Sequence, residues 1–139
     1  VAKRILLVED EANILEAIGF ILSRDGWDVL GHGKGETALS EIARVVPDLV
    51  VLDVMLPGRS GFDILRDLRA RPETAALPVL MLTAKGQARD REQAMALGAD
   101  GFLIKPFSNG ELLSEVRRLA AGGRRPPEPL RAAGPGERG

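Results

Sequence analysis

Short apolar runs alternate with longer stretches of helical periodicity from Ile5 to Leu119, and that alternation leaves few folds open. Ile5–Val8, Leu49–Leu52, Val79–Leu82 and Phe102–Ile104 are continuous apolar runs, with a weaker one around Trp27–Leu30. Runs of this length without polar alternation read as strands covered on both faces. Between them, Ile14, Ala17, Ile18, Ile21 and Leu22 form one helical stripe, and Ala38, Leu39, Ile42 and Ala43 a second. Phe62, Leu65 and Leu68 make a third, and Leu112, Leu113, Val116 and Leu119 a fifth. The fourth segment, Ala88–Leu97, runs through Arg89, Asp90, Arg91, Glu92 and Gln93, so its helix is expected to be the most weakly anchored. Strict βα alternation with right-handed crossovers predicts an α/β fold, a doubly wound five-stranded parallel sheet of order 2-1-3-4-5.

Punctuation supports the division. Ser108 with Glu111 fits a capping box before the last helix, Ser60 with Asp63 a looser version, and Pro72 and Gly98 fall near helix ends. One domain is expected over residues 1–122. Residues 123–139 are dominated by Gly, Pro and Arg, with Leu130 the only large apolar side chain; they read as a disordered tail or truncated linker. His32, the only histidine, is assigned with Gly31, Gly33 and Gly35 to a solvated turn after the second strand.

Composition closes several routes. The 139 residues are 45% hydrophobic and 28% charged with a formal net charge of −1, which gives no reason to expect nucleic acid or an anionic membrane as a partner. There is no cysteine, so disulfides, thiolate metal sites and a cysteine nucleophile are excluded. With a single histidine, a zinc site has too few ligands. No apolar run approaches a bilayer span and no secretory signal is visible, so a cytoplasmic location is the default expectation.

In an open α/β sheet, ligands bind beyond the carboxyl ends of the strands. The residues expected at that rim are Glu9 and Asp10 after the first strand, Asp53 at the third, Thr83 at the fourth and Lys105, followed by Pro106, at the fifth. Three carboxylates beside one ammonium leave an excess of negative charge that a divalent cation would balance. An all-oxygen ligand set points to a hard ion, Mg²⁺ being usual where phosphate oxygens complete the shell. A carboxylate nucleophile with a metal, a lysine and a hydroxyl then suits phosphoryl transfer.

At these residues the chain resembles the receiver domains of two-component response regulators. The matching segments are VEDE at Val8–Glu11, LDVMLPG at Leu52–Gly58, LTA at Leu82–Ala84 and KPF at Lys105–Phe107. The resemblance implies the flavodoxin-like (receiver) fold and a signalling domain that catalyses only its own phosphorylation and dephosphorylation. It implies Asp53 as phosphoryl acceptor, with Mg²⁺ held by Glu9, Asp10, Asp53 and the backbone carbonyl of Met55. It further implies phosphoryl contacts from Lys105, Thr83 and the Ala84 backbone, a cis Lys105–Pro106 peptide, and a switch pair of Thr83 and Phe102. Met55 and Lys85 would tune dephosphorylation.

The implied donor is a phosphohistidine of a sensor histidine kinase or a histidine phosphotransfer protein. The implied output is a face around helix 4, strand 5 and helix 5, read by a downstream protein partner or used in a homodimer. Two other readings exist on the same residues. One is the N-terminal regulatory part of a DNA-binding transcriptional regulator, although no DNA-binding helix-turn-helix lies in this sequence. The other is an aspartyl-phosphate phosphatase, against which Met55 stands where a second acid would be needed. In the winged-helix branch of the family, dimers use acid–base pairs across that face. Asp100 and Arg91 are compatible with such pairs, but Gly101 and Glu115 are not.

Overall fold

The four apolar runs and the weaker one all form strands in the computed structural model, which describes residues 3–84 and 88–122. They are β1 (Arg4–Val8), β2 (Asp28–His32), β3 (Leu49–Asp53), β4 (Val79–Thr83) and β5 (Gly101–Ile104). The helices between them are α1 (Ala12–Arg24), α2 (Ala38–Val45), α3 (Gly61–Ala70), α4 (Ala88–Ala96) and α5 (Asn109–Ala120). All four pairings are parallel and the order is β2-β1-β3-β4-β5. Lys85 and the Gly/Pro/Arg-rich tail lie outside the described residues.

Because successive side chains of a strand point to opposite faces, each run feeds two cores. Ile5, Leu7, Leu49, Val51, Leu80, Leu82 and Leu103 face α1 and α5. Leu6, Val8, Val50, Leu52, Val79, Met81 and Phe102 face α2, α3 and α4. Sequence runs without polar alternation are therefore explained by two covered faces. The helices differ sharply in what they bury. From α5, Leu112, Val116 and Leu119 are buried, worth about 5–9 kcal/mol in apolar transfer. From α4 only Ala94 is buried, worth under about 1 kcal/mol, so α4 is the lightly held helix that its charged sequence suggested.

Two helix starts, those of α3 and α5, are capped by serine side chains. Ser108 Oγ accepts from the Glu111 N–H at 3.0 Å while the Ser108 N–H donates to Glu111 Oε1 at 2.8 Å, a complete capping box. Ser60 Oγ caps α3 through the Asp63 N–H. No helix among the described residues is long and apolar enough to cross a membrane.

The glycine-rich stretch departs from expectation. Gly31 and His32 are not in a turn but close β2, paired with Leu7 and Val8 of β1. Backbone pairing, which needs no apolar side chain, carries the strand two residues past the apolar run. Gly31 also leaves room for α1: a Cβ there would stand 3.0 Å from Leu15 Cδ2. His32 is half-buried with Nε2 2.7 Å from Thr37 Oγ1, so it is not a freely solvated loop residue. Gly35 does lie in a turn, the single 3-10 turn Gly35–Thr37, but it is buried and not solvated.

Candidate functional site

The parallel sheet brings the carboxyl ends of all its strands to one rim. Glu9 and Asp10 leave β1 there, Asp53 ends β3, Thr83 ends β4 and Lys105 follows β5. Since β1 and β3 are neighbours, Glu9 and Asp53 emerge about one strand spacing, roughly 4.8 Å, apart. Glu9, Asp10 and Asp53 each offer a carboxylate oxygen, and these atoms lie within 4.8 Å of one another. Glu9 is 1% exposed and Asp53 3%, whereas Asp10 is exposed and opens the cluster to solvent.

Two buried carboxylates side by side need hydrogen bonds and countercharge. The Lys105 ammonium donates to Glu9 Oε1 at 2.9 Å and to Asp53 Oδ2 at 3.4 Å. The backbone N–H of Glu11 donates to Glu9 Oε2 at 3.1 Å, and that of Met55 to Asp53 Oδ1 at 3.2 Å. Burial, and then the charge of Glu9, push Asp53 up to about 6, against the opposing pull of Lys105 and the Met55 N–H. Burial pulls the Lys105 ammonium down, but its bond to Glu9 and the charges of Asp53 and Glu9 outweigh this and hold it above its ordinary value. One ammonium thus contacts two of the three carboxylates, and the donor set fits a hard divalent cation.

The backbone around Asp53 is set by close approaches. At Gly61 a Cβ would lie 2.3 Å from the Asp53 carbonyl oxygen, so no side chain fits where α3 starts against the end of β3. The Gly61 N–H in turn donates to the Val54 carbonyl at 2.9 Å. Across the sheet, the Lys105 N–H donates to the Thr83 carbonyl at 2.7 Å, and the Lys105–Pro106 peptide is cis.

The remaining residues singled out from sequence fall around this centre at different depths. Thr83 is fully buried, Ala84 beside it is exposed, and the Met55 side chain is 54% exposed at the mouth. Phe102 is turned inward, 9% exposed, in the core under α4. Sequence reasoning missed the Met55 N–H as a partner of Asp53 and the direct Lys105–Glu9 bond. It also read Asp100 as a surface acid. Asp100 is buried, pairs with Arg69 at 2.9 Å and accepts the Val79 N–H at 3.0 Å. A lone acid between Ala99 and Gly101 carried no local sign of that partner.

Comparison with known proteins agrees with this geometry. The family model of the response regulator receiver domain matches residues 5–117. The phosphate regulon transcriptional regulatory protein PhoB of Rhizobium meliloti (strain 1021) is 40% identical over 116 residues, 84% of this chain and 51% of that protein. The sensory transduction protein RegX3 of Mycolicibacterium smegmatis is 39% identical over 115 residues, 83% of this chain and 49% of that protein. The chain thus spans about half the length of the curated relatives it matches. A solved structure of a putative response regulator from Chloroflexus aurantiacus superimposes with a TM-score of 0.84 at 34% identity, over 87% of this chain and 99% of that one. The chain belongs to the response regulator receiver domain family, a signalling family whose function is phosphoryl acceptance on an aspartate.

Proposed function

We propose that Asp53 is the phosphoryl acceptor of this receiver and that Glu9, Asp10, Asp53 and the Met55 carbonyl hold Mg²⁺. The observation that carries the proposal is the gathering of three carboxylates within 4.8 Å beside a single ammonium at the sheet rim. When bound, Mg²⁺ supplies the positive charge that phosphoryl oxygens need in transfer. The donor is a phosphohistidine of a sensor histidine kinase or histidine phosphotransfer protein. An Asp53 carboxylate oxygen attacks phosphorus in line, the P–N bond breaks, and the electron pair leaves on the imidazole.

The residues around Asp53 have separable parts in this reading. Lys105 turns its ammonium from the free carboxylates to the phosphoryl oxygens. Thr83 is fully buried at the end of β4 and turns its hydroxyl to the phosphoryl group, beside a Phe102 ring that already lies inward. The exposed Ala84 leaves the approach open for its backbone N–H. Met55, two residues beyond Asp53, and Lys85, two beyond Thr83 in sequence, tune how long the acyl phosphate lasts.

The output face lies around α4, β5 and α5, where Arg91, Met95, Phe102, Ser114, Glu115 and Arg118 line a groove of about 630 Å³. Asp100 is engaged by Arg69, and Glu115 by Arg118 at 2.8 Å. These internal pairs support a downstream protein partner over a homodimer held by those acids. The relatives named as transcriptional regulators support a role as the regulatory part of such a protein.

Incubation with acetyl phosphate and Mg²⁺, followed by intact mass, tests the assignment. The wild type is expected to gain one phosphoryl group, with no gain in Asp53→Ala or with EDTA. Equal modification of the variant would remove Asp53 from the role.

A further inference from the structure

Met55 stands in the irregular link between β3 and α3, and the position of its peptide has to come from whatever seats that link. The 3-10 turn Gly35–Thr37 provides the seat. Gly35 is buried, and a Cβ there would stand 2.6 Å from the Arg59 carbonyl oxygen and 3.4 Å from Leu56 Cβ. A backbone oxygen at that distance cannot swing aside as a side chain can. The fit is reciprocal: Gly58, at φ +82°, faces the Glu36 side chain, whose Cγ and Cδ would lie 2.9 Å from a Cβ at that glycine. Two glycines on opposite segments therefore let turn and link interlock.

The link is fixed at both ends near the site. The Val54 N–H donates to the Leu82 carbonyl at 2.8 Å, and the Gly61 N–H to the Val54 carbonyl at 2.9 Å. A displacement forced on Leu56 and Arg59 is therefore taken up next to Met55, whose N–H donates to Asp53 Oδ1. We propose that Gly35 is a positioning residue for the phosphorylation site: its close seat on the β3–α3 link sets where the Met55 peptide stands relative to Asp53. The consequence for Mg²⁺ rests on the reading of the Met55 carbonyl as a ligand. A turn outside the charged cluster would then govern how tightly that cluster binds its ion.

Gly35→Ala is the direct test, because the Gly35 backbone lies outside the left-handed region and alanine adds only the contact. Two readouts are taken: the Met55 amide resonance of the metal-free protein and the Mg²⁺ dissociation constant by calorimetry. The variant is expected to shift the Met55 amide and to weaken Mg²⁺ about tenfold, the cost typical of lost support behind a metal ligand. Glu36→Ala and Glu36→Gln supply a second arm should Gly35→Ala not fold. Loss of the stem in Glu36→Ala is expected to shift the same amide and weaken Mg²⁺, while Glu36→Gln, which keeps the stem, leaves both near wild type. An unmoved Met55 amide with Mg²⁺ affinity within about twofold of wild type in Gly35→Ala would overturn the inference. So would equal effects of the two Glu36 variants, which would trace to charge and not to packing. A wild type that binds no Mg²⁺ would instead refute the metal assignment, and the amide shift would still decide the positioning role.

Discussion

The Lys105 ammonium lies closer to Glu9 than to Asp53, 2.9 Å from Glu9 Oε1 against 3.4 Å from Asp53 Oδ2. In the metal-free protein it is therefore the counterion of both buried carboxylates, and a divalent cation arriving there must compete with it. Lys105→Met is expected to cost about 1–3 kcal/mol without metal, less than a fully buried pair because the lysine is partly exposed. The same variant is expected to bind Mg²⁺ more tightly than wild type. Urea unfolding with and without Mg²⁺ checks this: the deficit must shrink as Mg²⁺ is added, and a deficit indifferent to Mg²⁺ would disprove the competition.

The position of Asp53 makes stability depend on pH in a stated direction. Burial raises its pKa from an ordinary 3.8 to about 6, so the folded chain holds that proton more tightly than the unfolded chain does. The resulting stabilisation is present below about pH 4 and lost as pH rises through about 6. Asp53→Asn suffers no such loss. Without metal it is expected to exceed wild type by about 1–3 kcal/mol near pH 7.5 and to match it near pH 4. A variant less stable than wild type near pH 7.5 would show that charge burial is not the cause.

Arg69 and Asp100 form a second polar cluster, away from the rim. Arg69 donates to the Gly98 carbonyl at 2.9 Å and to the Thr74 carbonyl at 3.1 Å as well as to Asp100, tying α3 to the segment entering β5. Arg69→Met leaves Asp100 buried without this guanidinium and is expected to cost about 3–5 kcal/mol. Adding Asp100→Asn is expected to recover part of that loss, since the amide oxygen can still accept the Val79 N–H. Strictly additive losses in chemical denaturation would mean the two side chains are not coupled.

With only Ala94 buried from α4, the helix is expected to open locally at little cost. Its backbone amides near the C-terminal end, Glu92–Ala96, should exchange with deuterium well before those of Leu65–Leu68 in α3 or Val116–Leu119 in α5. Exchange followed by NMR at fixed pH measures this directly. Equal protection across the three helices would refute it.

The strand runs were legible because two covered faces demand continuous apolar sequence, and Leu49–Leu52 and Val79–Leu82 have nothing else to be. The rim chemistry was legible for a related reason: a carboxylate at the end of such a run, as at Asp53, has only an edge to occupy. What stayed hidden depends on approach between segments far apart in sequence. Gly35 read as loose turn material because a glycine's missing side chain does not say what stands in its place. Asp100 read as a surface acid because its partner arrives from α3. His32 and Gly31 read as turn because strand pairing by backbone leaves no mark on side-chain polarity.

The Lys105–Glu9 bond joins residues 96 positions apart. No fragment of the chain short of β5 can contain the complete site, however well its earlier strands are formed. A chain still emerging from the ribosome presents Glu9, Asp10 and Asp53 with their ammonium not yet made. Arrival of the last strand and partial compensation of that charge are one event, so ion affinity reports whether the strand has taken its place.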